Sequence, residues 1–203
     1  VLAQFKNPRA LYKEPVFWDL YMEFLKHKNP GLQKFALDCV LNYKNKSIVP
    51  YKNNLHNLVD DKKFKDELTQ FKITEDSQNI RSEDREHVVP IILRILYGKM
   101  TSKLGADKKG GGQTRRALVM RYIAGCNQNE LGVFIEMAFT HIKEYLNMEA
   151  KQIHETIVSN LDLKSVTNPG KLHSILNLFE VVREYFGGYM KEEFLKKLLK
   201  IFY

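Results

Sequence analysis

Eight cations stand between residues 94 and 121: Arg94, Lys99, Lys103, Lys108, Lys109, Arg115, Arg116 and Arg121, against Asp107 alone. Lysines beside glycines can follow a phosphate backbone because the loop between them adapts its shape. Arg115 and Arg116 near a helix start add planar hydrogen-bonding forks to backbone N–H groups that already favour anions. The chemistry open to this stretch is capture of an acidic partner through charge and shape, with little reading of base sequence. Lys99, Lys103, Lys108, Lys109, Arg115, Arg116 and Arg121 are the candidate contacts, for RNA or for an acidic protein segment. The three arginines do not share one helical face, so the loop has to carry much of the contact.

Other chemistries lack their residues. Gly105 to Gly110 imitates the start of a phosphate-binding loop, but Gly111 and Gly112 stand where Lys and Ser or Thr are needed, and no apolar strand precedes it. None of the six histidines forms HExxH or pairs with a cysteine at ligand spacing, and there is no GxSxG. Asp60-Asp61 and Glu83-Asp84-Glu86 sit among Lys62, Lys63, Lys65, Arg81 and Arg85, which reads as exposed ion pairs near helix starts rather than an acid–base pair. We expect no catalytic residue, cofactor or metal, and no enzyme. Cys39 and Cys126 lie in apolar helical contexts and read as buried free thiols in a reducing compartment.

The elements that position these residues are helices. Apolar residues recur at helical spacing throughout and strand alternation is scarce. Helices are expected over about 10–28, 32–43, a short one from Pro50, then 60–71, 88–100, 114–125, 129–146, 149–160, 171–186 and 189–202. Turns fall at Asn29-Pro30, Asn168-Pro169-Gly170 and Gly187-Gly188. The helices at 88–100 and 114–125, which flank the glycine- and lysine-rich loop, are apolar on more than one side, so other helices must cover them. Moving Val88, Ile91, Ile92 and Leu96 on by 43 lands on Leu131, Phe134, Ile135 and Phe139, a spacing close to that of HEAT and armadillo units. The fold class is all-α: an irregular HEAT/armadillo-like α-solenoid of paired antiparallel helices, with a compact helical bundle as the alternative. One segment of helical array over 1–203 is expected, with a flexible basic loop at about 101–113.

The net charge of +8 and pI of about 9.3 favour acidic partners. Residues 1–59 add nine cations against four carboxylates, whereas 60–86 are acidic. No run of 18 apolar residues exists, so no membrane partner is expected. The chain opens on Val1 and closes on the amphipathic FLKKLLKIFY, which reads as a piece of something longer, with Val1–Phe5 and Leu195–Tyr203 as apolar ends.

Particular motifs carry a resemblance. Leu37-Asp38-Cys39, Pro50-Tyr51 with Asn54-Leu55, Phe64 with Asp66-Glu67, the run ILYGKM at 95–100, and Arg121 followed by Ala124-Gly125 are similar to the DRIM ("down-regulated in metastasis") family over about the first two-thirds of the chain. The resemblance implies a segment of a very large nucleolar protein built of HEAT-like repeats. That protein is a structural component of the small-subunit processome, needed for pre-ribosomal RNA processing and small-subunit rRNA maturation. The partners it implies are proteins of the pre-ribosomal particle, with pre-ribosomal RNA and small nucleolar RNA as candidate contacts. The residues alone leave open a second reading, a protein-only helical-repeat adaptor that docks acidic peptides.

Overall fold

Prolines and asparagines set where the first helices begin. In the computed structural model, α1 (Glu14–Leu25) follows Lys13, which adopts the left-handed conformation at φ 56°. α2 (Pro30–Leu41) has proline in its first turn, and the Asn29 side chain accepts the Gly31 N–H at 2.8 Å. Proline there forfeits no helical bond and the asparagine satisfies an end donor. α3 (Lys52–Val59) is entered through a 3₁₀ turn at Val49–Tyr51, and α4 (Phe64–Gln70) follows a turn at 61–63. Then come α5 (Arg85–Thr101), α6 (Gly111–Ile123) and α7 (Gln128–Ala138).

The structure describes residues 7–102, 111–138, 140, 148, 149, 152, 180, 183, 184, 186, 192 and 196. Among these there is no strand, and the fold is all-α, of paired helices packed side by side as in helical-repeat proteins. The chain divides into two compact units, Val1–Phe134 and Ile135–Tyr203. In the second, Phe186 is fully buried and Lys196 pairs with Glu192 one turn away at 2.6 Å. The expected helices at 149–160, 171–186 and 189–202, the turns at 168–170 and 187–188, and the segments Val1–Phe5 and Leu195–Tyr203 lie outside the described residues, apart from isolated positions.

In the first unit α5 is the axis. It packs against α1, α2, α3 and α6, as expected of a helix apolar on several sides. Val88, Val89, Ile92, Leu93, Ile95 and Leu96 are wholly buried, each worth about 1.5–3 kcal/mol relative to exposure. Pro90 is interior to this helix, which runs unbroken through it, although proline supplies no N–H to the Glu86 carbonyl. Several helices are shorter than their apolar patterns. α1 spans 12 residues because a separate 3₁₀ turn, Pro8–Ala10, holds the stretch before it. The segment before α4 is a turn because the Asp60 carboxylate accepts the Lys62 N–H at 2.9 Å. α6 begins three residues earlier than its sequence signals, at Gly111.

Close approach defines how α5 meets the α1–α2 turn. A Cβ on Gly98 would lie 2.7 Å from the His27 carbonyl oxygen, and closer still to the Gln33 amide. Gln33, itself buried, uses that amide to donate to the carbonyls of Leu25 at 2.8 Å and Ile95 at 3.0 Å. One side chain thereby ties α1, α2 and α5 together while meeting an end carbonyl of α1.

Candidate nucleic-acid interface

The cation cluster of 94–121 starts on the last turns of α5. Lys99 lies seven residues beyond Ile92 and three beyond Leu96, so helical spacing puts it on the buried stripe. It is 2% exposed. Its Nζ donates to Asp61 Oδ1 at 2.7 Å and to the Val59 carbonyl, and stands 5.8 Å from the Phe64 ring centre. Burial pulls the Lys99 ammonium below its ordinary range, against the opposing pull of Asp61. Arg115, on the facing turn of α6, reaches the same two groups. Its Nη1 is 3.7 Å from Asp61 Oδ1 and its guanidinium carbon 5.9 Å from the Phe64 ring centre. Two cations thus converge on one carboxylate and one ring, in a clamp that joins α5 and α6 to the α3–α4 turn.

Of the remaining candidates, Arg116 is half-buried and donates Nε to the Met100 carbonyl at 3.4 Å. Arg121 is exposed on α6. Lys103, Lys108 and Lys109 lie outside the described residues. Arg94 folds back to donate Nη1 to the Pro90 carbonyl at 2.9 Å, and burial lowers its pKa against the attraction of Glu23. The structure therefore brings Lys99 and Arg115 together, facing inward, and sets Arg121 apart on the outside.

In the acidic clusters Asp60, Glu83 and Glu86 are exposed as expected, but one member departs from that reading. Asp84 is buried. It accepts from Tyr51 Oη at 2.8 Å and from Arg81 Nε at 2.8 Å. Burial would raise its carboxyl, but the hydrogen bonds of Tyr51, Ser47 and Arg81 outweigh that and hold it below the ordinary carboxylate value. Glu67, also buried, accepts from Asn54 and Asn57 at 2.7 and 2.8 Å, fastening α3 to α4. Asn54 and Glu67 are two of the residues on which the family resemblance rests, and here they bond each other.

A second polar junction centres on Arg85, which sequence reasoning passed over as one more helix-start charge. It is 7% exposed in its side chain and grips Glu130 with two parallel bonds of 2.8 and 2.7 Å, while Nη1 donates to the Ile73 carbonyl at 2.8 Å. Burial lowers its pKa, but the Glu130 bonds more than offset that and leave it raised. Glu130 also caps α7: it accepts the Asn127 N–H at 2.9 Å while Asn127 Oδ1 accepts the Glu130 N–H at 3.0 Å. The N-x-x-E spacing of this reciprocal cap was a readable signal for a helix start. Both cysteines are free and buried, as expected. Among the described residues no group of His, Cys, Asp and Glu is placed to hold a metal, and no helix is long and apolar enough to cross a membrane.

Comparison with known proteins gives these contacts a family. A family model described as "U3 small nucleolar RNA-associated protein 20, N-terminal" matches residues 1–203. The chain belongs to this family. The Saccharomyces cerevisiae protein named U3 small nucleolar RNA-associated protein 20 is 31% identical over 176 residues, 87% of this chain and 7% of the yeast protein. Its namesake from Schizosaccharomyces pombe is 30% identical over 151 residues, 74% of this chain and 6% of that protein. The chain thus spans less than a tenth of the length of the relatives it matches.

Proposed function

We propose that this chain is one segment of a non-catalytic helical-repeat scaffold in early small-subunit ribosome assembly. The observation that carries this reading is the family match over the whole chain, to relatives whose names state association with U3 small nucleolar RNA. The similarity to the DRIM family is read as the same kinship under a second name. The scaffold works in the nucleolus as part of the small-subunit processome, in pre-ribosomal RNA processing and small-subunit rRNA maturation. It holds proteins of the pre-ribosomal particle, with pre-ribosomal RNA and small nucleolar RNA as contacts. A fold of side-by-side helices stabilised by inward ion pairs offers extended faces of the kind such scaffolds use. Within the 94–121 cluster, Lys103, Lys108, Lys109 and Arg121 are assigned to the acidic partner, Arg116 stands at their margin, and Lys99 and Arg115 support the fold beneath them. The 1–203 stretch is taken as one segment of the array, with the basic stretch between α5 and α6 as its contact element.

Ultraviolet crosslinking and immunoprecipitation of the full-length protein is the test. Recovery of U3 small nucleolar RNA and pre-ribosomal RNA is expected. Depletion of the protein should leave small-subunit rRNA precursors uncut while large-subunit rRNA still matures. Crosslinks to proteins only, together with undisturbed precursors, would replace this reading by the acidic-peptide adaptor.

A further inference from the structure

The 3₁₀ turn Pro8–Ala10 and the connection that follows α2 enclose a groove of about 530 Å³. Arg9, Lys44 and Lys46 line it, with the amides of Asn7 and Asn45 and the ring of Tyr43, and among the described residues none of its lining is acidic. All three cations are exposed, and among the described residues none of them forms an ion pair. This sets them apart from Lys99, Arg115 and Arg85, whose charges are matched internally.

The groove wall is fastened. Lys44 adopts φ 51°, and its N–H donates to the Leu41 carbonyl at 3.0 Å. Asn45 Oδ1 accepts the Ser47 N–H at 2.9 Å, and the Asn45 carbonyl accepts from Ile48 and Val49 at 3.0 Å each. The Tyr43 ring meets Trp18 edge to face at 4.8 Å. A wall held by so many short bonds gives up little further backbone freedom when a ligand binds. The half-buried Glu14 carboxylate acts on the Tyr43 phenol, which burial first and Glu14 second raise above its ordinary range.

We propose that this groove docks the phosphodiester backbone of single-stranded RNA. Three exposed cations supply the phosphate contacts. The Asn7 and Asn45 amides, which both donate and accept, suit the 2′-hydroxyls and base edges beside those phosphates. RNA is preferred to an acidic peptide because the relatives' names state association with a small nucleolar RNA. The proposal rests on the reading of this family as RNA-associated and adds a location distinct from the basic stretch between α5 and α6.

The test measures binding of a labelled oligouridine to the 203-residue chain by fluorescence anisotropy across a salt series. Each phosphate contact to a single strand contributes about 0.7 to the slope of log affinity against log salt. R9Q/K44Q/K46Q is therefore expected to lower the slope by about 2 and the affinity about tenfold or more. R9K/K44R/K46R should retain both, and K108Q/K109Q should leave the groove's share in place. Bromouridine crosslinks on the unmodified chain should map to 7–9 and 42–46, which keeps the proposal open to refutation even if the glutamine variant misfolds. If the chain binds RNA but the slope is unchanged in the glutamine variant and the crosslinks map elsewhere, the groove is not the site and the family reading stands. No RNA binding at low salt would overturn both. Competition by polyglutamate as strong as by RNA of equal charge would make the groove a protein-docking site and end the RNA assignment.

Discussion

Around α5, Arg85, Lys99 and Arg115 direct their charge inward, onto Glu130 and Asp61. Where the Pro8–Ala10 turn meets the α2–α3 connection, Arg9, Lys44 and Lys46 stand exposed beside amides, with no carboxylate paired to them among the described residues. The two regions show that a count of cations along a chain measures two different quantities. A lysine on the buried stripe of a helix is a fastening, because taking it from water demands a matched anion. A lysine on a well-bonded surface loop keeps its hydration and its field for a partner.

Breaking the inward region should cost the most. Arg85→Met leaves the half-buried Glu130 without its fork, and is expected to lower unfolding stability by about 3 kcal/mol, read by urea denaturation. Arg85→Met with Glu130→Leu should recover most of that loss, because the uncompensated charge goes with it. A double variant as unstable as the single one would show that packing, not charge matching, dominates the junction. Next in size, Gly98→Ala forces a methyl group into the His27 carbonyl and the Gln33 amide. It should lower stability by about 1–3 kcal/mol, and a thermal midpoint equal to the parent's would contradict the close packing at that turn.

Titration separates interior from surface in a third way. Burial pushes the Cys126 thiol from 9.0 up to about 12, helped by Glu130 and opposed by Arg85. The unfolded chain then ionises first as pH rises, so stability is intact below about pH 9 and is lost through the window from 9 to 12. From this group alone, about 1 kcal/mol should disappear between pH 9 and 10. Tyr122, raised by burial, adds to the loss at higher pH. Lys99, lowered by burial, works the other way, since its folded form releases its proton first. Cys126→Ala should flatten the alkaline decline in denaturation curves taken at successive pH values, and an unaltered decline would remove Cys126 from that account. The smallest effect sharpens the comparison most. Lys99→Met should leave the salt slope of RNA binding where it was, since the ammonium meets Asp61 and not a partner. A slope reduced by about 0.7 would move Lys99 into the surface class.

The helical architecture was legible because its signals are local. Proline at residue 30 after asparagine, apolar residues on several sides of 88–100, and two cysteines in apolar helical runs each imply their setting without knowledge of the rest. The ion pairs were not legible, because they join residues far apart. Lys99 and Asp61 are separated by 38 positions, Arg85 and Glu130 by 45. Asp84 read as a helix-start charge, yet a hydroxyl 33 positions away holds it inside. One clue at Lys99 was available: a charged residue in register with Ile92 and Leu96 has either a concealed partner or a large penalty. The groove was hidden for a related reason. Its cations belong to two short stretches that only folding brings together.

The burial of Cys39 and Cys126 has a practical corollary. The chain has two cysteines, and both are shielded in the interior. A cysteine introduced at Lys46 would be the one thiol a maleimide reaches in the native protein. A fluorophore or photoprobe placed there would report on whatever approaches that edge against a dark background.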